Sequence, residues 1–298
     1  MLRVARNILI VLLVVPVLML ATTAVVNVAL TGWEASSITR YGRFVPVDGK
    51  RMNVVIAGSG ERTVVLLPGL GTAAPALDFQ PLIRELQSTY RVIAVEPFGT
   101  GLSDQTDRPR TAANITGEIH EALQQLGVDR YVLMGHSIAG IYALTYSAAY
   151  AGELVAFVGI DSSVPGQPGS DTPIPTGAIV ALSRLGLTRL FATGTDDDQR
   201  LLTLRNSAAP TMIDEMEHVP ANFAAVSGKT FPKTLPVLLF VRSNDTDVAD
   251  WVALHERQAA SVDTGKVIVV EGDHYLHHTL SAEIAEQTTE FLAGVSKG

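Results

Sequence analysis

The sequence of 298 residues contains no cysteine. This absence excludes disulfide bonds, a cysteine nucleophile, thiolate zinc sites and iron–sulfur clusters. Charged residues are also few, at 17%, and the formal net charge is −8. Because nucleic-acid affinity comes mainly from lysine and arginine, we expect no nucleic-acid partner. The 47% of hydrophobic residues suffice for one large buried core, so a second independent domain is not required.

One long stretch without charged side chains lies near the N-terminus, at residues 8–30. As a helix it would reach about 34 Å, enough for a bilayer core of roughly 30 Å, and transmembrane helices tolerate a proline such as Pro16. Arg3 and Arg6 precede the stretch, so the positive-inside rule places the rest of the chain outside the cytoplasm. We predict that residues 1–32 are a membrane anchor or an uncleaved signal segment. Secretion after signal cleavage is the alternative.

Short apolar runs recur along the rest of the chain, separated by segments long enough for helices. The runs are residues 63–67, 92–95, 131–134, 156–160, 237–241 and 267–270. Such runs are typical of strands buried on both faces, and their alternation with helices predicts an α/β fold with a mostly parallel central sheet flanked by helices. Residues 43–56 predict two further strands, turned at Asp48 and Gly49.

The alternation stops for about 75 residues between Asp161 and Pro236. A stretch rich in proline and glycine is followed there by amphipathic pieces. Such a length is too great for an ordinary loop, so we interpret residues 164–232 as a helical cap or lid inserted into the domain. The domain itself would comprise residues 37–163 and 233–298.

The sequence Gly135-His136-Ser137-Ile138-Ala139-Gly140 directly follows the apolar run 131–134, and the small residues after it can form a helix. A serine at such a sharp turn between strand and helix is held out above the sheet. Its neighbours must be small because the backbone is crowded, and the next amide points toward the substrate. The pattern therefore predicts Ser137 as a nucleophile.

This motif resembles the nucleophile motif Gly-x-Ser-x-Gly of the α/β-hydrolase family, with Ala139 in place of the last glycine. The resemblance covers residues 43–292. A serine nucleophile needs a histidine base, which comes last in the chain order of this family. His274 follows the last apolar run in a glycine-containing loop that resembles the family's, and it is the predicted base, with His277 and His278 as nearby rivals.

The resemblance places the third member, a carboxylate, in the loop after the penultimate strand. That loop contains Asp245, which matches the family position and is our predicted acid. Asp247, two residues further on, and Asp161, which follows an earlier strand, stay open as alternatives.

Two backbone donors for an oxyanion are also implied by the resemblance. One is the N–H of Ile138. The other is the N–H of Leu70, in Pro68-Gly69-Leu70-Gly71, where the family commonly has His-Gly-x. Residues 96–104 are similar to a further family turn, Asp-x-x-Gly-x-Gly-x-Ser-Asp, with Glu96 for the first aspartate, and the resemblance gives it a structural role.

These residues together predict a serine hydrolase that cleaves a small-molecule carboxylic ester through an acyl-serine intermediate, with no cofactor and no metal. The resemblance argues against the epoxide-hydrolase and haloalkane-dehalogenase branches, which need an aspartate nucleophile. Carbon–carbon bond hydrolases, haloperoxidase-like enzymes, amidases and acyltransferases stay open, as does a ligand-binding member without turnover.

Apolar side chains in the predicted cap favour an apolar substrate, although they could instead form the core of the cap. These residues are Ile179, Val180, Leu182, Leu185, Leu187, Leu190 and Phe191. No motif specifies the natural substrate or the oligomeric state.

Overall fold

The structure of the protein is a computed structural model, and it describes residues 2–190, 192, 196–246 and 248–295. Its strands are β1 (Arg43–Val47), β2 (Lys50–Ala57), β3 (Thr63–Leu67), β4 (Arg91–Glu96), β5 (Tyr131–His136), β6 (Leu154–Ile160), β7 (Val237–Arg242) and β8 (Gly265–Val270). They form one sheet in the order β1-β2-β4-β3-β5-β6-β7-β8. β2 is antiparallel to both β1 and β4, and all other neighbours are parallel. The predicted fold class is therefore confirmed.

The helices lie between the strands along the chain. They are α1 (Leu2–Ser37), α2 (Pro75–Asp78), α3 (Gln80–Leu86), α4 (Ala112–Gln125), α5 (Ala139–Ala149), α6 (Thr176–Arg184), α7 (Asp197–Asn206), α8 (Pro210–Ala225), α9 (Trp251–Ala259), α10 (Leu276–Thr279) and α11 (Ser281–Ala293). Short 3-10 turns cover Ala151–Glu153 and Leu187–Leu190.

The parallel strands are apolar along their length because the sheet is covered on both faces. In β3 every residue is buried, and successive side chains join different clusters of the core. Val65 and Leu67 pack on one face of the sheet, whereas Val64 and Leu66 pack on the other. At the sheet edge, Asp48 and Gly49 both have positive φ, 47° and 71°, as the turn of a tight hairpin requires.

The turn at residues 96–104 is built around the buried carboxylate of Glu96. It accepts hydrogen bonds from Asn53 Nδ2 at 2.9 Å, from the Tyr41 hydroxyl at 2.7 Å and from the Leu102 amide at 2.8 Å. Gly101 has a φ of 49°, and a Cβ atom there would lie 1.8 Å from Glu96 Oε2. This position therefore admits only glycine, and the turn ties β4 to β2 and to the loop that follows β3.

The long segment between β6 and β7 contains α6, α7 and α8, and α8 is fixed to the domain by hydrogen bonds. Asn222 accepts from the Ala112 amide at 2.7 Å, and Asp214 accepts from the Arg110 amide at 2.6 Å. The Thr211 hydroxyl accepts from the Thr106 amide at 2.9 Å. These contacts are largely buried and spread over three turns of the helix, so they tie α8 to residues 106–112.

Helix α1 carries an apolar surface that nothing in the described part of the chain covers. It continues through Pro16 without a break, and Leu12–Glu34 is long and apolar enough to cross a membrane. Leu12, Val17 and Val28 are all at least 64% exposed. This helix has the length and the exposed apolar surface that membrane anchors and signal sequences share.

The last part of α1 contacts the segment between β6 and β7. Arg189 reaches Glu34 at 2.7 Å and donates from Nε to Asn27 Oδ1 at 2.6 Å, while Asn27 Nδ2 donates to the Ser183 carbonyl at 3.0 Å. Gly186 permits this approach, because a Cβ atom there would lie 2.9 Å from the Thr23 carbonyl oxygen. Helix α1 is therefore held against α6 and the turn that follows it.

Candidate active site

Ser137 directly follows the last residue of β5 and has a φ of 54°, which turns the chain sharply into α5. A Cβ atom at Gly135 would lie 2.7 Å from the Ala139 Cβ, and one at Gly140 would lie 2.3 Å from the Ser163 carbonyl oxygen. These close approaches explain why small residues surround the serine. The strained turn presents the Ser137 side chain, partly exposed, at the carboxyl end of the sheet.

The loop after β3 rests on this turn. A Cβ atom at Gly69 would lie 3.0 Å from the Ser137 Cβ and 2.7 Å from His136 Nδ1, so glycine is required for the approach. Within the described residues, the N–H groups of Leu70 and Ile138 donate no hydrogen bond. Both predicted donors are therefore available to a developing oxyanion.

His274 lies in the loop after β8, and the structure brings it to Ser137. Its Nε2 lies 2.9 Å from Ser137 Oγ, so the hydroxyl can donate to the ring. The other ring nitrogen, Nδ1, faces a carboxylate, which holds the proton on Nδ1 and leaves Nε2 as the acceptor. The imidazole is thus oriented to take the proton of Ser137.

The carboxylate beside His274 is Asp161, not the predicted Asp245. Asp161 Oδ2 accepts from His274 Nδ1 at 2.6 Å, and Oδ1 accepts from Trp251 Nε1 at 2.7 Å and from the Arg242 amide at 3.1 Å. The Asp161 side chain is fully buried. With this many donors it is fixed as an acceptor, which is the condition for orienting an imidazole.

The predicted acid, Asp245, contacts Arg242 and the Val248 amide. Its Oδ2 lies 2.6 Å from an Arg242 guanidinium nitrogen, and its Oδ1 accepts from the Val248 amide at 2.8 Å. Arg242 Nε also lies 3.2 Å from Asp161 Oδ2. Asp245 therefore holds the arginine that borders Asp161, and the prediction that it contacts His274 is wrong. The alternative Asp247 lies outside the described residues.

The sheet explains why Asp161 reaches the histidine. β5 and β6 are adjacent, and His136 pairs with Ile160 in the parallel register. Ser137 and Asp161 are the next residue of each strand, and both have positive φ, 54° and 43°. The two chains therefore turn out of the sheet side by side. β7, with Asp245 beyond its end, lies one strand further from Ser137.

His136, inside the serine motif, supports the loop of the base. Its Nε2 donates to the His274 carbonyl at 2.9 Å, and its ring packs on His274, Tyr275 and His277. Its Nδ1 is buried and has no hydrogen-bond partner among the described residues. Burial lowers the pKa of His136 to about 3, so the ring is neutral at ordinary pH.

This pKa predicts a pH dependence of stability. His136 in the unfolded chain takes up a proton below about pH 6.5, but in the folded protein only near pH 3. Its contribution to the free energy of unfolding is therefore complete above pH 6.5 and is lost as the pH falls, by up to about 1.4 kcal/mol per pH unit. We expect His136→Phe to have a shallower slope between pH 6.5 and 4. Urea unfolding at several pH values measures this slope, and equal slopes would contradict the assignment.

His277 and His278, the rivals for the base, both turn to Asp78 in α2. Their Nε2 atoms lie 2.8 Å and 2.9 Å from its two carboxylate oxygens. Burial would raise the pKa of Asp78, but these hydrogen bonds outweigh it and hold that pKa below its usual range. The three side chains could also ligate a metal ion, since their donor atoms lie within 4.8 Å of one another. The hydrogen bonds alone account for their arrangement as a brace between α2 and α10.

Comparison with known proteins agrees with the fold. The alpha/beta hydrolase family model matches residues 64–287, so the chain belongs to the alpha/beta hydrolase family. The uncharacterized protein YbdG of Bacillus subtilis is 26% identical over 290 residues, which cover 88% of this chain and 89% of that protein.

Two solved structures illustrate the likeness in fold. A membrane phospholipase A, described as a bacterial virulence factor, aligns with a TM-score of 0.66 over 100% of both chains at 16% identity. The enol-lactonase from Burkholderia xenovorans LB400 aligns with a TM-score of 0.65 at 16% identity, over 84% of this chain and 100% of the lactonase. Such identities establish the shared architecture and leave the substrate open.

Proposed function

We propose that this protein is a serine hydrolase that cleaves a carboxylic ester through an acyl-serine intermediate. The observation that carries the proposal is the continuous chain of hydrogen bonds from Asp161 through His274 to Ser137, at 2.6 Å and 2.9 Å. Serine is a poor nucleophile at neutral pH, and an oriented imidazole is what activates it.

In the proposed reaction, Ser137 Oγ attacks the ester carbonyl and its proton passes to His274 Nε2. The ionised Asp161 stabilises the imidazolium, and the N–H groups of Leu70 and Ile138 hold the oxyanion. The tetrahedral intermediate then breaks its bond to the alcohol, which takes the proton from His274. Water attacks the acyl-serine by the same route, gives its proton to His274 and releases the acid, and Ser137 regains its proton.

The identity of the nucleophile separates this proposal from other reactions on the same fold. Epoxide and haloalkane cleavage proceed through an alkyl ester of an aspartate, and the nucleophile position here carries Ser137. A serine alkoxide attacks an acyl carbon, and two backbone N–H groups at the site are suited to the oxyanion that such an attack produces. This combination supports acyl transfer to water.

The substrate we propose is apolar. No residue of α6 or of the turn Leu187–Leu190 is buried, and Leu182 and Leu190 are 47% and 76% exposed. Part of the apolar surface of this segment therefore stays outside the core, and we propose that it contacts an acyl or alcohol group of the substrate. Phe191, which the sequence grouped with these residues, lies outside the described residues.

We further propose that α1 anchors the protein in a membrane, with the catalytic domain on the extracytoplasmic side. The exposed apolar span Leu12–Glu34 supports an anchor, and the contacts of Arg189 with Glu34 and Asn27 support a helix that stays attached. The alignment with a membrane phospholipase over the whole chain is in keeping with this arrangement.

The proposal is tested by labelling the purified full-length chain with a fluorophosphonate probe and locating the adduct by peptide mass spectrometry. We expect the adduct on Ser137. We also expect turnover of p-nitrophenyl esters to rise from acetate to medium-chain esters. A folded protein that carries no adduct and hydrolyses no ester would overturn the proposal. Equal activity on short charged esters and on medium-chain esters would contradict only the apolar substrate.

A further inference from the structure

A cavity of about 440 Å³ lies between the last part of α1 and the ends of α6 and α7, apart from the residues of the proposed active site. Asn27 and Thr31 line it from α1, and Arg184 and Arg205 line it from the last turns of α6 and α7. No catalytic group described above contributes to its wall. Its polar lining contains two guanidinium groups that the proposed reaction does not use.

The two arginines that line the cavity are exposed at the surface. Within the described part of the chain, neither Arg184 nor Arg205 forms an ion pair or a side-chain hydrogen bond. The nearby Arg189, by contrast, is paired with Glu34 at 2.7 Å. Ala209, the residue preceding the first turn of α8, also lines the cavity, but Pro210 has no N–H and the Thr211 amide donates to Gln105 Oε1 at 3.3 Å, so the start of this helix is not counted as a donor to the ligand. The two guanidinium groups make this part of the lining positive, so it favours an anion.

The wall that α1 contributes carries apolar residues beside Asn27 and Thr31, and it belongs to the proposed membrane span. Val28 and Gly32 line it, and Val28 is 75% exposed. Trp33, 69% exposed, follows at the end of this stretch, where aromatic residues mark the depth of lipid headgroups. A ligand that fits both walls has an anionic group beside the arginines and apolar chains along α1.

We propose that this cavity binds the headgroup phosphate of an anionic phospholipid from the membrane that holds α1. The inference rests on the membrane anchoring proposed above. Arginine suits this ligand because its planar guanidinium binds phosphate through two parallel hydrogen bonds. Bound there, the lipid would join α1 to the ends of α6 and α7 and hold the apolar segment near the bilayer.

The test measures lipid retained by the full-length chain in a non-ionic detergent, by native mass spectrometry during titration with phosphatidylglycerol. We expect one retained lipid in the unsubstituted protein. In the double variant Arg184→Gln with Arg205→Gln, the affinity is expected to fall about 100-fold, on the scale of two charge-assisted hydrogen bonds.

The matched control is Arg84→Gln with Arg257→Gln, which removes the same charge. Both are exposed arginines in the last turns of helices, α3 and α9, away from the cavity. This control is expected to retain lipid like the unsubstituted protein. Equal retention in both double variants would overturn the proposal.

Two further measurements, with phosphatidylcholine and with inorganic phosphate, identify which anion the cavity binds. Phosphatidylcholine, whose headgroup has no net charge, is expected to bind at least about 10-fold more weakly than phosphatidylglycerol. Inorganic phosphate is expected not to displace the lipid at equal concentration. Displacement would contradict the lipid proposal and indicate that the cavity binds free phosphate. Fluorophosphonate labelling of Ser137 in each variant reports the active site separately, so failure of lipid binding is distinguishable from failure of the proposed hydrolase function.

Discussion

Replacing Ser137 with alanine is expected to reduce kcat for a p-nitrophenyl ester by about 10⁶-fold. The proposed nucleophile is then absent, and His274 has no hydroxyl to activate. Residual hydrolysis above the rate in water would come from substrate binding and from the N–H groups of Leu70 and Ile138. The measurement is steady-state kinetics, with the residual rate checked for contaminating esterase by fluorophosphonate treatment.

The fold should survive this substitution. Alanine and serine carry the same backbone restriction at a φ of 54°, so the turn gains no strain. The matched control is Ser147→Ala in α5, since Ser147 is buried and its hydroxyl donates to the Leu144 carbonyl, away from the proposed site. The control is expected to retain the kcat of the unsubstituted protein. A Ser137→Ala variant that keeps more than about one hundredth of kcat would exclude Ser137 as the nucleophile.

The second large effect distinguishes the two candidate acids. Asp161→Asn is expected to lower kcat by about 10⁴-fold, because the amide no longer holds the Nδ1 proton of His274 and the imidazole adopts the wrong tautomer. Asp245→Asn removes one ion pair of Arg242, which keeps Asp161 as a neighbour. We expect this second variant to lose less than about 10-fold.

The comparison is made at a single pH near neutrality, with thermal unfolding recorded for both variants. The two losses test the geometry directly, because both substitutions replace one oxygen by a nitrogen and keep the size of the side chain. A larger loss in Asp245→Asn than in Asp161→Asn would show that the working arrangement differs from the hydrogen bonds described here.

Much of this site could be predicted because its parts are local in the sequence. The turn at Ser137 needs an apolar strand before it and small residues around it, and each requirement is visible within about ten residues. The hairpin at Asp48 and Gly49 is equally local, since positive φ values favour these residue types. His274 could be found because the loop after the last strand resembles that of the family.

Asp161 could not be chosen with the same means, because the choice depends on the order of strands. An aspartate follows β6 and another follows β7, and both loops lie at the carboxyl end of the sheet. Only the adjacency of β5 and β6, and the donors that Trp251 and Arg242 supply to Asp161, decide between them. A usable signal was present, since Asp161, like Ser137, stands immediately after an apolar run.

The segment between β6 and β7 shows a second limit of the sequence. Its apolar residues have the same composition whether they form a core or an exposed surface. The structure leaves Leu182 and Leu190 exposed, while Met212 and Phe223 of α8 are buried. The spacing of apolar residues alone does not distinguish the exposed α6 from the buried face of α8, because burial depends on which other elements pack against each helix.

Within the segment between β6 and β7, α8 is hydrogen-bonded to the domain, whereas α6 has no buried residue. This difference determines where substitutions could change the substrate preference. Substitutions in α8 would disturb Thr211 and Asn222, whose hydrogen bonds hold residues 106–112, and most such variants would lose folding before they gained activity. In α6, by contrast, no residue is buried, so substitutions there remove no core packing. Mutant libraries for directed evolution are therefore best confined to residues 176–182, which exclude Gly186 and Arg189 and where substitutions cost little in folding.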